Sequence, residues 1–178
     1  MNFGSVSAKY KHASQFQCQC KDAVERIIRL TGNTSVHAMR LDLSSQRDVR
    51  RFAKDVDSKF EKIHFLVNNA GILMNKGGER VNSADGYEMV MATNYFGTFA
   101  LTMSLLDKIR SSGEPGDPSR IVHVSSYLQF EAKRITSDFD LDSFPSEKPT
   151  MQYGYSKLLV NLNCRAVFIL IEFLRRVL

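Results

Sequence analysis

Residues 63–71 read Ile63-His64-Phe65-Leu66-Val67-Asn68-Asn69-Ala70-Gly71. The first five are almost continuously apolar. A short unbroken apolar run is the mark of a strand covered on both faces, as strands of parallel sheets are. The Asn-Asn-Ala-Gly that follows ends the run with turn residues. Outward from it, helical periodicity appears on both sides. Residues 45–60 carry Val49, Phe52, Ala53, Val56 and Phe60 on one face, with Ser44 as the candidate N-cap. Upstream, a strand is expected over Ser35 to Leu43 and a helix over 21–31, ended by Gly32-Asn33. Downstream come a polar loop over 75–84 with Gly77-Gly78, a long helix over 85–111 starting near Asp85, and a strand from Ile121 to Val124 that ends in Ser125-Ser126. A polar, irregular stretch from Tyr127 to Thr150 precedes a last helix starting near Met151. Helices alternating with short buried strands argue for an α/β fold with a parallel sheet.

The bulk composition excludes several classes of function. With 178 residues, 43% hydrophobic and 24% charged, the chain matches a single ordinary domain. Net charge is +5, but the basic residues are dispersed, and Arg50-Arg51 lies near Asp48, Asp55 and Asp57. A solvated helix face explains that grouping, and no nucleic-acid partner is expected. Cys18, Cys20 and Cys164 are odd in number and lack C-x-x-C spacing, so free thiols in a reducing compartment are expected. His12, His37, His64 and His123 form no ligand pattern; His64 and His123 read as packing residues within strands, and no metal site is expected. No run reaches the ~20 apolar residues of a membrane span. The cytoplasm is the expected location, with organelle or membrane association left open. Met1 to Lys21 contains no acidic residue and is faintly like a transit peptide, though it has no Arg. Residues 1–19 read as an atypical, disordered leader, 20–165 as the core and 166–178 as an atypical helical tail.

The chemistry centres on Tyr153 and Lys157. Four residues apart on a helix, their side chains share one face. An ammonium beside a phenol favours the phenolate, so the pair is a candidate general acid/base unit. Tyr155 lies around the helix on a different face and cannot be activated in the same way. Alone, a Tyr-x-x-x-Lys spacing is weak, and a solvated helix pair would look the same.

The spacing becomes specific in company. Asp42-Leu43, Leu66-Val67-Asn68-Asn69-Ala70-Gly71, Thr93-Asn94-Tyr95-Phe96-Gly97, Arg120-Ile121-Val122-His123-Val124-Ser125-Ser126 and Tyr153-Gly154-Tyr155-Ser156-Lys157-Leu158 follow in order. In this order the chain resembles the short-chain dehydrogenase/reductase superfamily from about Cys20 to Arg165. Leu41 to Ser45, Asp85 to Met89 and Asp140 to Lys148 resemble its retinol-dehydrogenase-like members. The resemblance implies NAD(P)-dependent oxidoreduction of a carbonyl/alcohol pair on a small lipid-like or retinoid-like substrate. It implies that Tyr153 exchanges the proton, that Lys157 binds the nicotinamide ribose and assists Tyr153, that Ser126 rather than Ser125 bonds the substrate oxygen, and that Asn94 holds a water in a proton relay. Asp42 and Leu43 would border the adenine, and Asn69, Ala70 and Gly71 would pass close to the cofactor. Plain structural roles compete at several of these positions: a helix-interior Asn at 94, a strand-end turn at Asp42, a simple turn at 69–71.

The superfamily's G-x-x-x-G-x-G turn, which sets a helix N-terminus against the pyrophosphate, has no counterpart, since Gly4 is the only glycine before Gly32. The expectation is a partial Rossmann-like fold, a doubly wound parallel sheet lacking its first two strands, its glycine-loop helix and its C-terminal strands. In such a sheet the Asn69 and Ser126 strands remain neighbours, while the Asp42 strand loses the two that linked it to them. A three-strand parallel remnant of low stability, with exposed apolar surface, is expected. NAD or NADP is the cofactor that the resemblance implies, and little dinucleotide affinity is expected of the chain itself. The alternative is an inactive truncated isoform that associates with full-length relatives through the helices at 85–111 and 151–170.

Overall fold

The computed structural model describes residues 13–73, 80–132 and 149–177. The first twelve residues of the expected leader, the Gly77-Gly78 loop and the Asp140 to Lys148 stretch lie outside the described residues. In chain order the elements are α1 (Ala13–Thr31), α2 (Gln46–Lys59), β1 (Phe65–Asn68), α3 (Met89–Met91), a π-helical segment (Ala92–Gly97), α4 (Thr98–Ser112), β2 (Arg120–His123), a 3₁₀ turn (Tyr127–Glu131) and α5 (Pro149–Val177). β1 and β2 pair in parallel, Phe65 opposite Arg120 through Asn68 opposite His123. The fold is α/β with a short parallel sheet.

Among the described residues that sheet has two strands, not the three expected. Residues 35–43 form no strand. A strand needs a neighbour for its backbone groups, and among the described residues the strands pair only with each other and not with this segment. It is instead anchored at its end, where Leu41 and Leu43 enter the core. The expectation of a β1 covered on both faces also gives way. Leu66 points into the core, but Val67 and Val122 on the other face are 45% and 43% exposed. His64 stands just before β1 and is exposed, whereas His123 ends β2 half-buried.

The core lies on one side of the sheet. Val49, Phe52, Ala53 and Val56 from α2 meet Leu101, Leu105 and Ile109 from α4 over Leu66. These positions recur at helical spacing, so each helix turns one apolar stripe inward. Gly97 sets how closely the layers approach. A Cβ there would stand 1.9 Å from the Leu43 carbonyl oxygen.

Helix ends differ from the sequence reading for local polar reasons. α2 is capped by Ser45, not Ser44: the Ser45 side chain accepts from the Asp48 N–H. Ser44 is engaged elsewhere, its N–H and Oγ both donating to the Asp42 carboxylate at 2.9 and 2.6 Å. Asp85 opens no helix; its carboxylate accepts the Gln46 N–H at 2.7 Å and so caps α2 from outside. The long helix begins instead at Met89, where the Glu88 carboxylate accepts the N–H groups of Val90 and Met91. α1 begins at Ala13, earlier than the expected residue 21, and closes on Gly32 in the left-handed conformation (φ 70°). Its Leu30 is 71% exposed. The run Met89–Ser112 is long and apolar enough to cross a membrane by length and composition alone, but 61% of its apolar window is buried against the rest of the fold.

Replacing Gly97 with Ala is expected to lower unfolding free energy by about 1–3 kcal/mol or more, because backbone rather than a flexible side chain must yield. Urea denaturation followed by circular dichroism measures it, and an unchanged midpoint would show that the contact between Gly97 and Leu43 does not set the layer spacing.

Candidate active site

The helix Met89–Ser112 does not keep one pitch. Ala92–Gly97 widens to a π turn, and such turns inside α-helices often sit at functional sites. This turn carries Asn94, which is 1% exposed. Its Oδ1 accepts the Ile72 N–H at 2.8 Å, and its Nδ2 donates to the Ile72 carbonyl at 3.0 Å and to Ser156 Oγ at 3.0 Å. Ser156 Oγ in turn donates to the Tyr153 carbonyl at 2.7 Å. One buried amide thus joins the loop after β1 to α5.

α5 presents the Tyr153 and Lys157 pair as the four-residue spacing predicts. Lys157 Nζ lies over the Tyr153 ring, 5.5 Å from its centroid. The ammonium is nearly enclosed, with Lys157 3% exposed, and donates to the Val124 carbonyl at 2.8 Å. Burial holds the lysine below its usual range. Gly71 stands beside it: a Cβ at Gly71 would meet Nζ at 3.3 Å and Asn94 Oδ1 at 3.5 Å. Tyr155 turns the other way and packs with Met91, Tyr95 and Phe96.

Ser125 and Ser126 separate in role. Ser125 Oγ donates to the Lys157 carbonyl at 3.3 Å, fixing the end of β2 to α5. Ser126 opens the 3₁₀ turn, its Oγ accepting the Leu128 N–H at 3.3 Å. That turn lies hard against α5 at Gly154, where a Cβ would come 2.4 Å from the Leu128 carbonyl oxygen. His123 closes β2, its Nδ1 3.3 Å from Asn68 Nδ2, which also donates to Thr102 Oγ1 at 3.0 Å. Burial, and then the Lys157 charge, keep this imidazole below the usual histidine range.

Asn94, Tyr153, Lys157 and Gly71 thus come together, with Ser126 on the adjoining turn. Leu43, Asn69 and Ala70 meet separately in a crevice of about 20 Å³ beside Leu66 and Thr98. Asp42 does not line it. Its carboxylate faces Ser44, and its N–H donates to Asp48 Oδ2 at 2.7 Å. Sequence reasoning passed over Ser156, the Val124 carbonyl and the two close-approach glycines, 97 and 154. The glycines sit inside helices, where a close backbone approach is the usual reason to tolerate them, and that is the signal the sequence offers.

A family model described as short chain dehydrogenase matches residues 7–136, a span that begins before Cys20 and stops short of Tyr153. Polyprenol dehydrogenase from Homo sapiens is 35% identical over 144 residues, covering 81% of this chain and 42% of that protein. Retinol dehydrogenase 11 from Mus musculus is 40% identical over 104 residues, covering 58% of this chain and 31% of that protein. The Pseudomonas aeruginosa RhlG/NADP active-site complex aligns with a TM-score of 0.59 at 24% identity, covering 83% of this chain and 52% of the other, a likeness of fold. The chain therefore spans less than half the length of these two curated relatives.

Lys157 gives a stability signature. Because its folded value lies below the ordinary lysine value, the unfolded chain binds more protons between the two, and stability rises with pH through that window. Below the window the whole penalty is present. Lys157→Met is therefore expected to unfold at or above the wild-type midpoint at pH 7, by on the order of 1 kcal/mol, and to lose the alkaline rise. A midpoint well below wild type would mean that the hydrogen bond to Val124 outweighs the cost of burial.

Proposed function

This chain belongs to the short-chain dehydrogenase family, and from that membership we propose that it carries the proton-transfer centre of an oxidoreductase. The reaction interconverts an alcohol and a carbonyl on a lipid-like or retinoid-like substrate, with NAD or NADP. The names of its relatives, polyprenol dehydrogenase and retinol dehydrogenase, support that substrate class. The observation that carries the reading is the enclosed Lys157 ammonium against the Tyr153 ring, beside a glycine that leaves its approach open.

Tyr153 gives or takes the substrate oxygen's proton, and Ser126 hydrogen-bonds the same oxygen. Lys157 holds the nicotinamide ribose and places its charge beside the phenol, where it favours the ionised form during transfer. Asn94 fixes the loop that carries Gly71 against Lys157 and holds the relay water. When bound, the nicotinamide supplies or accepts the hydride. The residues present suit its ribose end: a Cβ at Gly71 would fill the cradle beside Lys157 Nζ. Leu43, Asn69 and Ala70 line a crevice of about 20 Å³, room for a water and not for an adenine, and the Asp42 carboxylate faces Ser44, so the fit of these residues does not extend to the adenine. The pyrophosphate has no glycine-rich turn in these 178 residues, so dinucleotide affinity is weaker than micromolar. The unpaired thiols of Cys20 and Cys164 favour a reducing compartment such as the cytoplasm.

A second reading has its own support. Phe99, Met103, Leu162 and Phe168 are exposed on the two long helices, and they suit a non-catalytic chain that pairs with longer relatives through those faces. The test is retinaldehyde reduction at millimolar NADPH, above the weak affinity. Slow turnover is expected, and Tyr153→Phe is expected to lower it by about 10²–10⁴-fold. Equal turnover by the variant, or none from folded wild-type chain at saturating NADPH, would favour the second reading.

A further inference from the structure

Away from the candidate site, a cavity of about 690 Å³ opens between the end of α4, the 113–119 turn, β2 and the later part of α5. Its volume is that of a site for a whole small ligand, not for a water. Neither Asn94, Ser126, Tyr153, Lys157 nor any of the residues placed near the cofactor lines it.

Its walls are chemically uneven. Leu106, Ile109, Ile121 and Val167 make an apolar interior. The charges at the rim do not cancel. Glu114 is already held by Lys62, Nζ to Oε1 2.8 Å. Arg110 is exposed and makes no hydrogen bond or ion pair with any described residue. His123 also lines the wall, half-buried, with its Nδ1 3.3 Å from Asn68 Nδ2. An apolar chamber with one unpaired guanidinium at its rim matches a ligand that has an apolar body and a single anionic head.

We propose that this cavity binds an anionic amphiphile of the long-chain carboxylate class. The alkyl chain lies against Leu106, Ile109, Ile121 and Val167. The carboxylate accepts from the Arg110 guanidinium, a charge-assisted bond that a neutral alcohol of equal length cannot match. Cys164, on the cavity wall, is covered when the ligand is in place.

The test uses the full chain and two probes, dodecanoate and dodecanol, each below its micellar concentration, displacing cis-parinarate followed by fluorescence. Dodecanoate is expected to displace saturably and at least about tenfold more tightly than dodecanol. Arg110→Gln, at an exposed position, is expected to remove that preference and leave dodecanol unaffected. Val167→Trp, which fills the chamber, is expected to abolish displacement by both, with circular dichroism reporting its fold. Dodecanoate is also expected to slow alkylation of Cys164, read by peptide mass spectrometry. Tyr153→Phe should leave every one of these results unchanged, which separates them from the oxidoreductase reading. No saturable displacement, or equal binding of acid and alcohol that Arg110→Gln does not alter, would overturn the proposal.

Discussion

The amide of Asn94 joins parts of the chain that share no strand and no helix. It makes three of the four hydrogen bonds open to an asparagine side chain, two to the backbone of Ile72 and one to Ser156. Each such bond contributes on the order of 1 kcal/mol net, but leaving one of these groups unpaired in the interior costs about 1–3 kcal/mol. The asymmetry makes the position rigid. The π turn sets where Asn94 lies along its helix. Ile72 then has to follow β1 at a fixed place, which brings Gly71 beside Lys157 Nζ.

The rest of the site is positioned by close approach. Gly97 lets the long helix reach the carbonyl of Leu43, and Gly154 lets α5 reach the carbonyl of Leu128. Among the described residues the sheet beneath is two strands wide, so the helices contribute most of the framework around the candidate residues. Lys157 sits at the centre of this framework with the Val124 carbonyl, and no carboxylate among the described residues, as its hydrogen-bond acceptor. Burying a cation that way opposes stability and favours a role in recognition or catalysis. The cavity between α4 and α5 shows the same helices diverging further along, where Leu106 and Val167 line an open space.

Much of this was legible in the sequence. Buried stripes such as Val49, Phe52, Ala53 and Val56 declare their helix through periodicity alone, and the apolar run before Asn68 declares its strand. The motif series gave the family, and the pairing of Tyr153 with Lys157 followed from helical geometry. What stayed hidden depends on partners distant in sequence. Asp85 looks like a helix start until Gln46, thirty-nine residues earlier, takes its carboxylate. Ser44 looks like a cap until Asp42 engages both its donors. Residues 35–43 have the pattern of a strand, but a pattern cannot supply the neighbour that a strand requires. Ser156 gave no signal, because a serine beside a lysine has chemical meaning only once Asn94 is seen to face it.

Asn94 ties the loop after β1 to the helix of Tyr153 and Lys157. The amide of Ile72 reports on it directly, since it lies outside any strand and donates to Asn94 Oδ1 alone among the described bonds. Native-state hydrogen exchange of that amide, compared with the ladder amide of Val124, is the decisive measurement. Ile72 is expected to exchange as slowly as Val124 in the wild-type chain and at the rate of an open loop in Asn94→Ala. Loop-like exchange of Ile72 in the folded wild-type chain would show that Asn94 does not hold this loop.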